Sequence, residues 1–298
     1  MSTVLIGVDV GGTTTRARVS VDGQPAADAE GPGAALRPER VLASSATIAD
    51  VVRNALGAAG QRRAAVLVIG AAGAGRPQEQ EELRSSLRSE GFAERIVVTT
   101  DIAIALEAAF GAGPGVVLTA GTGSVAVARD PGGTLRRSGG YGWQMGDEGS
   151  GYSIGRSALG AVGRAADGRS PATALTPRIL LATRSADLDG LIRWCAKAGP
   201  SEVAALAPTV LEVAAAGDLT ARGILDYAAR ELSQLVLFLL PHFGTEQMVE
   251  VACNGGLVAP GRPLYSVLKA KLEEQQRIHV SPKELEPVAG ALAMAGRV

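Results

Sequence analysis

Two short segments of this sequence place apolar, β-branched runs on either side of a tight turn of glycine and hydroxyl residues. They span residues 4–21 and 116–127, and their turns read Gly11-Gly12-Thr13-Thr14 and Gly121-Thr122-Gly123-Ser124. Glycine lets the backbone approach an anion, while turn amides and Thr or Ser hydroxyls donate hydrogen bonds without adding charge. One such turn is a weak signal, but two in separate halves of one chain are typical of a polyphosphate site. The pattern therefore predicts a nucleotide-dependent phosphotransferase.

Length and composition set the class of protein. The 298 residues suffice for two domains, and 46% of them are hydrophobic, enough to give each domain a core. The net charge of −1 gives no reason to expect nucleic acid or a membrane as partner. The most apolar run, residues 235–240, is too short to span a bilayer, and residues 1–3 lead directly into the first strand. Two distant cysteines fit a cytoplasmic protein without a disulfide framework or cysteine metal site.

Strand and helix patterns alternate through the first part of the chain, which predicts an α/β fold. Besides the two hairpins, strands are predicted at residues 66–69, 96–99 and 249–253. Long helices are expected to dominate the second part. Helical patterns cover residues 38–59, 77–90, 102–110, 152–159, 221–240, 264–274 and 285–294. The Gly- and Pro-rich residues 111–115 predict a domain boundary, with domains at 1–111 and 112–284.

Asp9 ends the first strand, immediately before the glycine turn. A carboxylate at this position is a candidate ligand of Mg²⁺, through water, because Mg²⁺ retains much of its hydration shell. The alternative is an aspartate that caps the turn through backbone amides.

Asp101 follows Thr99 and Thr100 at the carboxyl end of a predicted strand, where open α/β sheets place their ligands. A carboxylate there could accept the proton of an attacking hydroxyl group, as an aspartate does in kinases. The alternative is a helix N-cap, for which aspartate is well suited.

Residues 139–151 combine glycines, aromatics and the acids Asp147 and Glu148. Aromatic faces and backbone amides suit a sugar ring, and Asp147 can accept hydrogen bonds from sugar hydroxyls. The alternative is a flexible loop in which Ser150 or Glu148 starts the following helix. Four other features are expected to be structural or solvated: His242, His279, the buried cysteines Cys195 and Cys253, and the pair Arg136-Arg137.

Taken together, these segments resemble the N-acetylglucosamine kinase and BadF/BadG-type ATPase family of the actin–hexokinase–Hsp70 superfamily. The most specific match is GGYGWQMGDEGSGYSIG, supported by GVDVGGTTTRARV, TTDIAIAL, LTAGTGSVAVAR and VAALAPTVLEVAAAGD. The resemblance covers essentially the whole chain. It implies two ribonuclease-H-like domains of actin/hexokinase type around an ATP cleft, a C-terminal helix (285–298) returning to the first domain, and a homodimer.

The resemblance also implies roles for individual residues. Thr13 and Thr122 correspond to hydroxyls at the ATP phosphates, and Asp101 to the catalytic aspartate that binds the sugar. The other positions implied are Gly140, Tyr141, Gly142 and Asp147 for the sugar, Ala204 for the base or ribose, and Gly255 and Gly256 beside the adenosine. With the flanking residues of both turns (Asp9, Gly11, Gly12, Thr14, Gly121, Gly123 and Ser124), these form the candidate site.

The sequence departs from the family at two sugar-contacting places. Residues 31–37 read Gly-Pro-Gly-Ala-Ala-Leu-Arg where vertebrate members carry Asn, His and Trp, and Tyr141-Gly142-Trp143 replaces Trp-Gly-His. Both differences leave the identity of the sugar open. The zinc-binding cysteine cluster of ROK sugar kinases is absent from the sequence.

The resulting prediction is a kinase that uses ATP and Mg²⁺ to phosphorylate an amino sugar or related hexose, with Asp101 deprotonating the C6 hydroxyl. Two alternatives remain open. An activator-type ATPase would share an iron–sulfur cluster between subunits and requires paired cysteines. A nucleotide-dependent sugar sensor or actin-like assembly module would have no enzymatic activity.

Overall fold

The computed structural model describes residues 2–298, and contacts divide the chain into two units. The first unit extends to Gly113 and includes Leu285–Val298, while the second is Pro114–Glu284. None of the helices in residues 2–298 combines the length and the apolarity needed to cross a bilayer.

Each unit contains a five-stranded mixed sheet. The strands are β1 (Val4–Val10), β2 (Thr14–Val21), β3 (Gln24–Pro32), β4 (Ala64–Ala71), β5 (Ala93–Thr100), β6 (Gly115–Ala120), β7 (Ser124–Arg129), β8 (Leu135–Gly139), β9 (Val249–Asn254) and β10 (Ile278–Val280). The first sheet has the order β3-β2-β1-β4-β5 and the second β10-β9-β6-β7-β8. In each sheet, three consecutive antiparallel strands are followed by two strands parallel to the first of them. The two sheets therefore share one topology.

Helices cover the faces of these sheets. They are α1 (Val41–Ala58), α2 (Pro77–Arg88), α3 (Asp101–Phe110), α4 (Gly151–Ala166), α5 (Leu175–Ala182), α6 (Leu188–Cys195), α7 (Pro200–Ala204), α8 (Ala207–Ala215), α9 (Leu219–Leu237), α10 (Tyr265–Glu273) and α11 (Pro287–Ala295). The helices α1 and α2 lie on one face of the first sheet, and α3 and α11 pack with Val68 on the other.

The alternation of β1 explains how Asp9 is positioned. Ile6 and Val8 are fully buried on the face that packs against α1. Leu5 and Gly7 point to the opposite face, where a side chain on Gly7 would overlap the backbone of Leu292 in α11. Because side chains two residues apart share a face, Asp9 lies on the side of the sheet that carries α3 and α11.

Most predicted elements are present, with shifted ends. The strand at residues 4–10 has the predicted bounds, whereas the helix predicted at 38–59 begins as a 3₁₀ turn, Pro38–Arg40, before α1. The edge strand β3 was not predicted, because its largely exposed sequence QPAADAEGP lacks an apolar alternation. The expectation of long helices is wrong for residues 175–215, where four short helices occur. Pro200 and Pro208 stand in the first turns of two of them, where proline favours a new helix start.

Candidate active site

The turn between β1 and β2 is held at its base and open at its tip. The Gly11 amide donates a hydrogen bond of 2.9 Å to the carbonyl of Thr14. Thr15 is fully buried, and its hydroxyl donates to the carbonyl of Pro32 at 2.9 Å. Gly12 and Thr13 remain exposed at the tip. The arrangement leaves their backbone amides and the Thr13 hydroxyl accessible to a ligand.

The loop at residues 31–37 packs against this turn and donates hydrogen bonds to its carbonyl groups. The Gly33 amide donates to the carbonyl of Thr13 at 3.0 Å, and the Ala34 amide donates to the carbonyl of Gly11 at 3.1 Å. A side chain on Gly33 would overlap the backbone of Gly12. This loop was predicted only as a sugar-contacting segment, and its contact with the turn was not predicted. The Gly-Pro-Gly run was the available signal of a close backbone approach.

Asp9 and Asp101 lie at the carboxyl ends of parallel strands in the first sheet. Asp9 is in register with Gly70 of the neighbouring β4, and Gly70 is in register with Thr99 of β5. Asp101 follows two residues later as the first residue of α3. The N-cap of this helix is Thr100, whose hydroxyl accepts a hydrogen bond from the Ala103 amide at 3.1 Å. The side-chain capping role considered for Asp101 is therefore filled by Thr100.

Both carboxyl groups have a raised pKa, mainly because they are buried. Burial raises the pKa of Asp9 to about 6, the nearby Asp101 also raises this pKa, and Arg16 lowers it. Burial raises the pKa of Asp101 as well, against backbone hydrogen bonds from Ile102 and from Asp101 itself. A half-buried carboxyl pair of this kind favours a bound proton or cation. It also moves a carboxylate towards the basicity that proton abstraction near neutral pH requires.

The turn between β6 and β7 has the same open tip and anchored base. The Gly121 amide donates to the carbonyl of Gly123 at 2.9 Å, and Thr122 is exposed. Ser124 is buried, and its hydroxyl donates to the carbonyl of Glu148 at 2.7 Å.

Asp147 lies directly against this second turn. Its Oδ1 accepts a hydrogen bond from the Ser124 amide at 3.2 Å, and a side chain on Gly123 would come within 2.8 Å of Oδ2. The backbone of Asp147 is left-handed, with φ of 61°. Burial raises the pKa of Asp147, the Ser124 amide lowers it, and Glu148 raises it. Asp147 therefore stabilises the turn by accepting this hydrogen bond, a role that was not predicted from the sequence.

The first residues of α4 pack directly on the same turn. The Gly151 amide donates to the carbonyl of Gly121 at 2.7 Å, and the Tyr152 amide donates to that of Thr122 at 3.2 Å. Ser150 is the N-cap, as one interpretation of the sequence expected, and accepts from the Ser153 amide at 3.2 Å. A helix N-terminus beside an exposed hydroxyl turn favours an anion. Gly151 was not among the predicted site residues.

The residues predicted for the nucleoside also surround this turn. The Ala204 Cβ lies 3.4 Å from the position that a side chain on Gly151 would occupy. Gly255 has φ of 95°, and a side chain there would overlap the backbone of Ala120. Gly256 is exposed. The predicted phosphate and nucleoside residues of the second unit thus converge on residues 120–123.

The segment predicted to contact the sugar presents exposed aromatic rings. Gly140 and Gly142 both have positive φ and flank Tyr141, whose side chain is 59% exposed. The ring of Trp143 lies 5.3 Å from that of Tyr152 in α4. Asp101 belongs to the first unit, and this aromatic segment belongs to the second.

The cysteines differ from expectation in one case. Cys253 in β9 is fully buried, as expected, but Cys195 is exposed, and the prediction that it is buried is wrong. Cys195 is the last residue of the short α6, in which only Leu191 is buried. A four-thiolate cluster shared equally by two subunits needs two accessible cysteines from each. This chain offers one.

Two sugar kinases are similar in sequence to this chain over most of its length. An N-acetylmuramic acid/N-acetylglucosamine kinase of Clostridium acetobutylicum is 31% identical over 233 residues, 76% of each protein. A glucosamine kinase of Vibrio cholerae is 27% identical over 295 residues, 98% of this chain and 95% of that protein.

A solved structure extends the similarity to three dimensions. The crystal structure of a proposed N-acetylglucosamine kinase from Chromobacterium violaceum superposes with a TM-score of 0.81 and 30% identity, covering 98% of this chain and 99% of the other. The predicted α/β fold with two ribonuclease-H-like domains of actin/hexokinase type is confirmed. The sequence profile of the BadF/BadG/BcrA/BcrD ATPase family matches residues 6–295. The chain belongs to the BadF/BadG/BcrA/BcrD ATPase family.

Proposed function

We propose that this protein is an ATP-dependent kinase for an amino sugar of the N-acetylglucosamine or glucosamine type. The observation that carries the proposal is the half-buried pair Asp9 and Asp101 at the carboxyl ends of parallel strands, beside a turn suited to phosphate. The names of the Clostridium and Vibrio relatives support the substrate class.

Asp101 is the proposed general base. A hydroxyl becomes a competent nucleophile towards phosphorus when a positioned carboxylate accepts its proton. The raised pKa of Asp101 strengthens it as a proton acceptor compared with an exposed aspartate. The primary hydroxyl at C6 is the proposed acceptor of the phosphoryl group, because it is the least hindered hydroxyl of a hexose.

Asp9 is the proposed ligand of Mg²⁺, through water. Its raised pKa, due to burial and to the charge of Asp101, indicates a site where a cation would be favoured. Residues 2–298 contain no cluster of three or more His, Cys, Asp or Glu suited to a metal, and Mg²⁺ bound with a nucleotide needs only one or two protein carboxylates. When bound, Mg²⁺ neutralises charge on the nucleotide phosphates.

The two turns would bind the phosphates of ATP. Thr13 and Thr122 each offer a hydroxyl at an exposed tip, and Gly12 and Gly123 offer backbone amides next to them. Such donors stabilise charge on phosphate oxygens without adding a positive charge. Ala204, Gly255 and Gly256 would contact the nucleoside. A homodimer in the cytoplasm, as the family resemblance implies and the cysteine content favours, completes the proposal.

The test is a coupled ADP-release assay with Mg·ATP and a panel of sugars. The panel contains glucosamine, N-acetylglucosamine, N-acetylmuramic acid, N-acetylmannosamine and glucose. We expect at least one amino sugar to stimulate ADP release far above the rate without sugar. Release that is indifferent to every sugar would contradict a kinase. Replacing the stimulating sugar by its 6-deoxy analogue should abolish stimulation, and a 6-deoxy sugar that is still phosphorylated would refute transfer to C6.

A further inference from the structure

The edge strand β8 carries two adjacent arginines with different surroundings. Arg136 pairs with Asp130, with Nε 3.4 Å from Oδ2. Arg137 pairs with no carboxylate in the described part of the chain, and its guanidinium carbon lies 5.1 Å from the ring centroid of Tyr141. The two arginines were predicted to be a solvated pair, but Arg136 is neutralised by Asp130 and Arg137 has no such partner among the described residues.

The sheet register explains why Arg137 meets Tyr141. Arg137 is opposite Val127 and Gly139 is opposite Val125, so these residues share one face of the sheet. The chain then folds back over this face, because a side chain on Gly140 would lie 2.8 Å from Cγ2 of Val125. Tyr141 follows immediately, and its ring comes to lie beneath the guanidinium. Arg136 points to the opposite face.

The guanidinium of Arg137 is exposed and its carbon lies over the Tyr141 ring, so its N–H groups remain accessible to a ligand. The planar edge presents parallel N–H donors that match the two oxygens of a carboxylate. Contact with the ring restricts the long side chain, so less conformational entropy is lost when those donors bind a ligand. A neutral sugar would offer this guanidinium only uncharged acceptors, whereas a carboxylate would form the stronger charge-assisted pair.

We propose that Arg137 binds a carboxylate carried by the sugar, so that the preferred substrate is an acidic amino sugar. The inference rests on the proposed function, because it assumes that Tyr141 lies at the sugar site. It assigns Arg137 as a specificity-determining residue and Tyr141 as the ring that orients it.

The experiment compares an acidic amino sugar with its uncharged counterpart. N-acetylmuramic acid carries a carboxylate on its lactyl group, and its methyl ester has nearly the same shape without the charge. Values of kcat and KM are measured with both, and with N-acetylglucosamine, for the wild type, R137Q, R137K and R136Q. Thermal melts establish that the variants are folded.

We expect the wild type to prefer the acid over the ester. In R137Q the ratio of kcat/KM for the acid to that for the ester should fall by about tenfold or more, mainly through KM, because a charge-assisted hydrogen bond is lost. R137K keeps the charge but lacks the planar guanidinium, so its acid-to-ester ratio should lie between those of the wild type and R137Q. R136Q, which alters the ion-paired neighbour, should retain the wild-type ratio.

The results separate this inference from the proposed function. A wild type that phosphorylates N-acetylglucosamine but does not discriminate acid from ester would overturn the role of Arg137 and leave the kinase intact. An equal fall of the ratio in R136Q and R137Q would also overturn it, because it would indicate a general field effect. A wild type inactive on these three sugars would overturn the role of Arg137, and a wild type inactive on glucosamine as well would overturn both.

Discussion

Asp9 and Asp101 are the residues on which the chemistry of the first unit depends, and both are held where a charged carboxylate is unfavourable. Burial is the largest cause of the raised pKa in each case. A surface aspartate would be a weaker base and a weaker attractor of cations. Burying these two carboxylates lowers the stability of the folded protein, and the same burial gives them the properties that the proposed function requires.

The pH dependence of turnover should reflect this burial. Asp101 must be deprotonated to accept a proton, so kcat/KM for the sugar should fall as the pH decreases through its raised pKa. The acid limb should lie above the pH expected for an ordinary aspartate, about 3.9. The measurement is kcat/KM for the sugar at saturating ATP across the acid range. A profile that stays flat down to about pH 4 would count against Asp101 as the base.

The variant Asp9→Asn should be more stable than the wild type at neutral pH in the absence of Mg²⁺ and nucleotide. The pKa of Asp9 is about 6 in the folded protein against an ordinary value of 3.8. The folded state therefore binds more protons between these values, and its stability falls as the pH rises through that window. The shift corresponds to at most about 3 kcal/mol above pH 6, and the gain from asparagine should vanish below about pH 4. Denaturant unfolding at both pH values measures it, and equal stability of the two proteins at neutral pH would contradict the effect.

The positions of individual residues could be predicted where those residues stand at the end of a recognisable strand. Asp9 and Asp101 each end a strand pattern visible in the sequence, and parallel strands bring such ends to one edge. The contact of Asp147 with Ser124 depends instead on a left-handed backbone at residue 147, which is uncommon outside glycine. No local pattern indicates that conformation.

Among the elements, α11 packs very closely against α3. A side chain on Gly290 would overlap the carbonyl of Ile104 in α3. We expect Gly290→Ala to destabilise the protein by about 1–3 kcal/mol, because overpacking outweighs the gain of up to about 1 kcal/mol in helix propensity.

Gly57→Ala is the matched control for this change. Gly57 lies in α1, is exposed, and has no atom within 4 Å of the position of a new side chain. The same substitution there should stabilise the protein by about 0.5–1 kcal/mol. The two variants are compared by denaturant unfolding. Opposite signs are the expected outcome, and a stabilised Gly290→Ala protein would show that α11 does not pack as described.

Element-level prediction followed apolar periodicity and failed without it. The long amphipathic helix α9 and the buried strands β4 and β9 were found, with ends shifted by a few residues. The strands β3 and β8 lie at sheet edges and are largely exposed, so they carry no alternation to detect. Their positions are set by pairing with β2 and β7, which the sequence does not encode locally.

At the scale of the whole molecule, the chain leaves the first unit at Gly113 and returns to it at Leu285. The returning α11 covers a face of the first sheet with the buried residues Ala291 and Ala295. A chain ending at Glu284 should therefore lose cooperative folding of the first unit while the second unit folds.

The two tryptophans, Trp143 and Trp194, both lie in the second unit and make this testable. The shortened chain should keep a tryptophan-detected unfolding transition but show a reduced circular dichroism signal. Simultaneous loss of both signals, or no change in either, would contradict two units with separate cores.

The overall fold was predictable because two similar turn motifs recur in order along the chain. The domain limits depend on this C-terminal return, which was known only through the family resemblance.

The central claim, that Asp101 activates a sugar hydroxyl for phosphorylation by ATP, is tested most directly by the variant Asp101→Asn. The measurement is sugar-dependent ADP release together with ATP affinity, with Asp50→Asn, a change at an exposed residue paired with Arg53, as the control. The account predicts a loss of turnover of about 10²- to 10⁴-fold in Asp101→Asn with ATP binding retained, and an unaffected control. Near-normal turnover in Asp101→Asn would contradict it.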